Sequence, residues 1–127
     1  MSSAAVVIIH PSQFPDRVRQ DLIDSLRTRR INHKFHYDGI RQTRKWLALH
    51  EACSPARTAA DCQAVYDRAF LSVAHLRQGA RLHLVGLGCG GGQKDARCLE
   101  IVAMAKGSVT YTPVDVSTAM VLMAQQA

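Results

Sequence analysis

The sequence predicts an α/β fold, in which a partial, Rossmann-like parallel sheet follows an N-terminal helical region. Residues 1–79 show helical periodicity, whereas residues 80–127 alternate strand, helix, strand and helix. A glycine-rich segment, 86–92, joins the first of these strands to the next helix, as in nucleotide-binding β–α–β units. We therefore expect a helical lid region over 1–79 and the start of a cofactor-binding domain over 80–127.

The composition indicates a globular domain with a core of its own. Hydrophobic residues make up 47% of the 127 residues, and 16 lysines and arginines against 10 acids give a net charge of +6. The charge permits an anionic partner, but the basic residues are scattered, so nucleic acid is not expected. The apolar run 4–9 is too short to span a bilayer and lacks the pattern of a secretion signal. We expect a cytoplasmic protein without a membrane partner; the sequence does not indicate an oligomeric state.

The four cysteines predict no metal site. None of them forms a Cys-x-x-Cys pair, and their spacing matches no common zinc motif. Small buried thiols are the expected state. The cysteines are Cys53, Cys62, Cys89 and Cys98.

Three helices are predicted before the glycine-rich segment, over about 15–30, 40–51 and 58–79. Pro15 suits the first turn of the first helix, Trp46 lies on the apolar side of the second, and Gly79 ends the third. The third helix carries an apolar stripe that is expected to face the core: Val65, Ala69, Val73 and Leu76.

The second half predicts a strand over 81–87, a helix over 93–106, a strand over 109–114 and a last helix that Ser117 caps. Pro113 fits poorly in a central strand because it cannot donate a backbone hydrogen bond. Two parallel strands leave unpaired edges, and the last helix reaches Ala127 without a terminator. We therefore expect that the chain is a fragment that lacks later strands.

The strand, glycine loop, helix and second strand form a candidate site for a nucleoside-containing cofactor. Glycine lets a ligand approach main-chain amides, and Asp115, 24 residues after Gly91, follows the next strand, where an acid can bind a ribose. Gly86-x-Gly88-x-x-Gly91 fits the dinucleotide fingerprint, while Gly86-x-Gly88-x-Gly90 fits the looser loop of methyltransferases. The spacing leaves both open, although the long helical region before the first strand favours a methyltransferase.

Three segments together resemble the histidine-Nα-methyltransferase family of the ergothioneine pathway, whose members depend on S-adenosylmethionine. The first, 33–38, is similar to a Lys-Phe-Phe-Tyr-Asp signature; the second is Leu87-Gly88-Cys89-Gly90 with Gln93-Lys94 after it. The third, Pro113-Val114-Asp115-Val116-Ser117, matches the family's strand end in every residue. The resemblance covers roughly 15–127, and it implies a class I methyltransferase core.

The resemblance also implies roles for single residues. Gly86, Gly88 and Gly90 would line the cofactor, Lys94 would approach its methionine carboxylate, and Asp115, with Val116 beside it, would hold the ribose. Tyr37 would lie over the site from the lid region as the candidate catalytic residue, where it orients the acceptor amine. The acceptor implied is a small molecule, with the α-amino group of histidine or of a related amino acid as a candidate.

The sequence departs from the family in two places. Gly86 replaces an acid that family members carry before the Leu-Gly pair, and Ala52-Cys53-Ser54 stands where they carry paired tyrosines. Histidine as the acceptor therefore does not follow from the resemblance. Three alternatives stay open: an NAD(P)- or flavin-dependent oxidoreductase, a catalytically incompetent fragment that keeps the fold, and a nucleic-acid-binding protein.

Overall fold

The computed structural model describes residues 6–76, 79, 81–105 and 108–127. Helix α1 is Pro15–Thr28, and α2 (Gly39–Cys53), the single turn α3 (Pro55–Thr58) and α4 (Ala60–Leu76) follow it. Strand β1 (Arg81–Leu87), helix α5 (Gln93–Met104), strand β2 (Ser108–Val114) and helix α6 (Thr118–Ala124) complete the order. Short 3₁₀ turns occupy Pro11–Gln13 and His33–His36. The expectation of a mixed α/β chain is confirmed.

The described chain divides after His36 into two compact units. In the first unit, Lys34 is 9% exposed, and its ammonium donates to Asp21 Oδ2 at 2.7 Å and to the Ser12 carbonyl at 2.8 Å. These bonds fix the 3₁₀ turn at 33–36 against α1. The Lys34 hydrogen bond is the main cause that lowers the pKa of Asp21 below its ordinary value.

The second unit contains α2 to α6 and a sheet in which β1 and β2 pair in parallel, as the β–α–β pattern predicts. Leu87 is opposite Val114 at the carboxyl end, and Gly86 is opposite Pro113. The described sheet has two strands, so each is an edge, and an edge strand tolerates the missing N–H of Pro113.

One face of the sheet packs against α5, and α4 packs against the outside of α5. The core contains Ala74, Cys98, Ile101 and Val102, with Phe70, Leu82, Leu84 and Val109 packed around them. The predicted inward stripe of the third helix is wrong, because Val65, Val73 and Leu76 are exposed. The helix turns Phe70 and Ala74 to the core instead, since its neighbour α5 lies on that side. Within the described residues, no helix has the length and hydropathy needed to cross a bilayer.

Candidate functional site

The glycine loop, residues 88–92, meets Asp115 at the carboxyl ends of the two strands. The Gly90 N–H donates to Asp115 Oδ2 at 3.0 Å, and the Cys89 N–H donates to the Val114 carbonyl at 3.1 Å. Gly88 and Gly90 both have a positive φ, of 63° and 54°, which glycine adopts without strain. The Asp115 carboxylate is therefore in contact with the glycine loop, as the spacing between them in the sequence predicts.

The Asp115 carboxylate keeps acceptor capacity after these contacts. Its Oδ1 accepts the Ser117 N–H at 3.0 Å, so each oxygen receives one backbone donor. An ionised carboxylate has about four lone-pair sites, which leaves one on each oxygen for a ligand. Asp115 is half-buried, and the two backbone bonds fix its orientation. Such a group suits a pair of neighbouring hydroxyls, as in a ribose.

A buried polar contact ties α2 to the same corner of the sheet. The hydroxyls of Thr43 and Ser117 lie 3.0 Å apart, and these residues are 2% and 3% exposed. Ser117 also caps α6 as the sequence predicts, since its hydroxyl accepts the Met120 N–H at 3.4 Å. This pair anchors α2, the helix that carries Trp46, beside Ser117, which follows Asp115 and Val116 in the chain. The role of Thr43 could not be predicted from the sequence, because a threonine inside a helix is expected to face solvent or to bond the backbone of its own helix.

Beneath the glycine loop lies a buried acid that the sequence analysis missed. Asp95, in the first turn of α5, is 4% exposed and accepts the Tyr111 hydroxyl proton at 2.7 Å. Its carboxylate fills the space beside Gly86, where an added Cβ would overlap Asp95 Oδ2. Burial, and then the hydrogen bond to Asp95, raise the pKa of Tyr111. A glycine inside an apolar strand often marks such a close approach, which is the signal that could have revealed Asp95.

An open cavity of about 700 Å³ adjoins the glycine loop within the second unit. Its lining comes from the loop and the start of α5 and from helices α2, α3 and α4, which we call its helical side. The helical side contributes aromatic rings, and among its members are Trp46, Tyr66 and Phe70. This volume is in the range of small-molecule sites, of about 300–1,000 Å³.

The predicted site residues differ in their relation to this cavity. Gly88, Gly90 and Lys94 line it, whereas Gly86, Asp115 and Val116 do not. Gly86 is buried beneath the loop, and Val116 is 42% exposed next to Asp115. Asp115 contacts the loop through the Gly90 N–H, so Gly88, Gly90 and Lys94 lie at the cavity and Asp115 adjoins one of its lining residues.

Tyr37 belongs to the same compact unit as the sheet. Its ring packs edge-on against Trp46, with ring centroids 5.1 Å apart, and Trp46 lines the cavity. The Tyr37 carbonyl accepts the Thr43 hydroxyl at 3.2 Å, which fixes its backbone at the start of α2. The structure thus places Tyr37 behind an aromatic residue of the cavity wall.

The charged residues of the cavity fall into two kinds. Arg97 forms a bidentate pair with Asp67, at 3.1 and 2.9 Å, so their charges compensate each other and the pKa of Asp67 is lowered by that hydrogen bond. Lys94 and Arg57 have longer contacts, at 3.4 Å, to Asp95 and Glu51 respectively. The cavity therefore presents two cations whose donors are available to a ligand. Arg57 was not singled out by the sequence because its place depends on how α3 packs.

Cys89 lines the cavity as a protonated thiol. Burial, followed by the nearby Asp115 carboxylate, raises the pKa of Cys89 to about 11. A thiol with such a pKa is a poor nucleophile near neutral pH, which argues against covalent catalysis by Cys89. All four cysteines are free, and in the described part of the chain no cluster of three or more His, Cys, Asp or Glu could hold a metal ion.

Comparison with known proteins adds no relative to this description. No protein-family model, no curated protein and no solved structure matches the chain.

Proposed function

We propose that this chain binds S-adenosylmethionine at the glycine loop and takes part in methyl transfer to a small-molecule acceptor, with 80–127 as the start of a Rossmann-like methyltransferase core. One observation carries the proposal: the loop amide of Gly90 and the fixed carboxylate of Asp115 meet at neighbouring parallel strand ends. A nucleoside binds well at this kind of junction, because the loop admits the ligand and the acid accepts its hydroxyl protons.

The groups around the loop also fit the rest of this cofactor. Lys94 lines the cavity in the first turn of α5, where a cation and the helix N-terminus both favour a carboxylate. Trp46 offers an apolar surface in the same cavity. The bound cofactor would supply a sulfonium methyl group: the acceptor's lone pair forms a bond to the methyl carbon while the carbon–sulfur bond breaks, and sulfur keeps the electron pair.

The contribution of the protein itself is alignment and exclusion of water. Holding two reactants in line removes much of the entropic barrier, and a covalent intermediate is not needed. The aromatic rings on the helical side of the cavity would place an apolar surface beside the reacting atoms. An acceptor amine must lose its proton before attack. Tyr37 packs behind Trp46 and does not line the cavity, so we assign it to holding the Trp46 ring in place and not to deprotonating the amine.

A dinucleotide cofactor is the second candidate, because Gly86, Gly88 and Gly91 satisfy its glycine spacing. The diphosphate of such a cofactor would lie at the start of α5. Asp95 puts a buried acid into that first turn, which is a less favourable neighbour for a diphosphate than for a cofactor with a net positive charge. The local electrostatics therefore support the methyltransferase proposal over the oxidoreductase.

Calorimetric titration tests the proposal. We expect S-adenosylhomocysteine to bind and NADH not to bind at the same protein concentration. Asp115→Ala should weaken the binding of S-adenosylhomocysteine about 100-fold, the effect of losing two hydrogen bonds to a charged group. Asp61→Ala is the matched control, since Asp61 is an exposed acid of the same unit that does not line the cavity. Binding of NADH alone, or equal losses in the two variants, would refute the proposal.

A further inference from the structure

The helical side of the cavity has two properties that the cofactor does not require. It presents aromatic rings from two separate helices, and it contains a guanidinium group with few partners. We call this surface the acceptor wall and define it by Trp46, Arg57, Tyr66 and Phe70, all of which line the cavity. The acceptor wall and the glycine loop line the same cavity, so a second, smaller ligand bound at the wall would lie close to the cofactor.

The aromatic part of the acceptor wall favours a flat ligand. Trp46 comes from α2, whereas Tyr66 and Phe70 come from α4 and stack on each other with ring centroids 6.0 Å apart and an angle of 30° between the planes. Trp46 and Phe70 are half-buried, so their rings are supported by the protein and still reachable. Aromatic faces gain most from contact with another ring, in offset or edge-to-face geometry.

The charged part favours an anion. Within the described residues, the contact recorded for the Arg57 guanidinium is one 3.4 Å approach to Glu51, whose side chain is 73% exposed. A guanidinium carries five N–H donors, so most of them remain available, and their fork matches a carboxylate. The other arginine of the cavity, Arg97, is already held by both oxygens of Asp67. Arg57 is therefore the group best able to bind a negative charge on the acceptor wall.

We propose that the acceptor wall binds a planar organic anion, with its carboxylate against Arg57 and its ring among the three aromatic side chains. The ligand class is an aromatic carboxylate, and the group that accepts the methyl is a hydroxyl or amine on the same molecule. The identification of this surface as a site for the methyl acceptor rests on the proposed function. The anion site itself depends on the cavity alone.

Three matched ligands test the charge requirement: benzoate, benzamide and benzylamine, which share a ring and differ in charge. Calorimetry measures their affinities for the full chain with and without saturating S-adenosylhomocysteine. Trp46 is the sole tryptophan, so a change in its fluorescence reports occupation of the acceptor wall. We expect benzoate to bind about tenfold more tightly than either analogue and to change the Trp46 emission.

Variants of Arg57 then test the position of the site. Arg57→Gln should remove the preference for benzoate, Arg57→Lys should keep part of it, and S-adenosylhomocysteine should bind each variant within about twofold of the wild type. Arg68→Gln is the matched control, since Arg68 is an exposed arginine of α4 that does not line the cavity. Equal affinities for the three ligands, or a preference that survives in Arg57→Gln, would overturn the inference.

The two proposals fail in different ways. If S-adenosylhomocysteine does not bind but benzoate binds through Arg57, the anion site stands and the methyltransferase proposal falls. If S-adenosylhomocysteine binds and the preference for benzoate is absent, the methyltransferase proposal stands and the acceptor class falls.

Discussion

Replacing Gly86 by alanine should destabilise the protein by about 3 kcal/mol, far more than a surface change of the same size. The added Cβ would overlap Asp95 Oδ2 and would lie 3.1 Å from the Tyr111 hydroxyl oxygen. Overpacking a core costs about 1–3 kcal/mol, and disturbing a hydrogen bond to a charged group costs about 1.5–3 kcal/mol. The two costs are not additive, because the same movement of Asp95 relieves the clash and breaks its hydrogen bond to Tyr111.

A double-mutant cycle isolates the cause. In an Asp95→Ala background the space beside residue 86 is open, so Gly86→Ala should cost less than about 1 kcal/mol or stabilise slightly, since alanine suits an extended strand better than glycine. The coupling energy between the two sites should therefore be about 2–3 kcal/mol.

Urea denaturation of the four proteins, followed by circular dichroism, gives the free energies of unfolding. The slopes with urea should be the same for all four, so that differences in midpoint report stability. If Gly86→Ala destabilises the wild type and the Asp95→Ala variant equally, the Asp95 carboxylate does not occupy the space beside Gly86, and the reasoning fails.

Three further predictions follow from single groups. Asp21 has a lowered pKa, so its contribution to stability is complete above the ordinary value of 3.8 and is lost as the pH falls through the lowered one; in Asp21→Asn the fall in stability between about pH 4 and about pH 2 should flatten in urea titrations. Cys89, with its pKa raised to about 11, should react with iodoacetamide at about pH 8 roughly a hundredfold more slowly than an ordinary thiol, with the exposed Cys53 as the reference in peptide mass spectrometry. Gly92→Ala should cost about 3 kcal/mol, because its φ is 85° and its Cβ would come within 2.6 Å of α6 backbone, whereas Gly88→Ala, with a φ of 63° and open space, should cost about 1–2 kcal/mol in the same urea assay.

The sequence predicts the part of the fold that depends on local patterns. The glycine loop between an apolar strand and a helix, and Ser117 before the last helix, are signals that a few neighbouring residues carry, and the structure has both elements where they are predicted. Parallel pairing of β1 and β2 follows as well, because a helix between two strands connects opposite ends of them. The position of Asp115 beside the loop is a consequence of that pairing.

What the sequence does not predict depends on which side of a helix meets its neighbour. The sequence predicts that the side of α4 with Val73 faces inward, but contact with α5 selects the side of Ala74 instead. The acceptor wall depends on the same choice, since Tyr66 and Phe70 are one helical turn apart on the selected side. Lys34 similarly reads as an exposed loop residue, and a distant acid on α1 makes its burial favourable.

Gly86 shows how a side chain on a helix can fill the space beside a strand position. Compared with the family that the sequence resembles, position 86 lacks the acid expected near the end of β1. In the structure, the carboxylate of Asp95 on α5 fills the space that a side chain at 86 would take, and Tyr111 holds it there. An acidic side chain therefore lies beside Gly86, and it comes from helix α5 and not from strand β1. The Asp95 carboxylate can occupy this space only because residue 86 has no side chain, since two groups cannot fill the same volume.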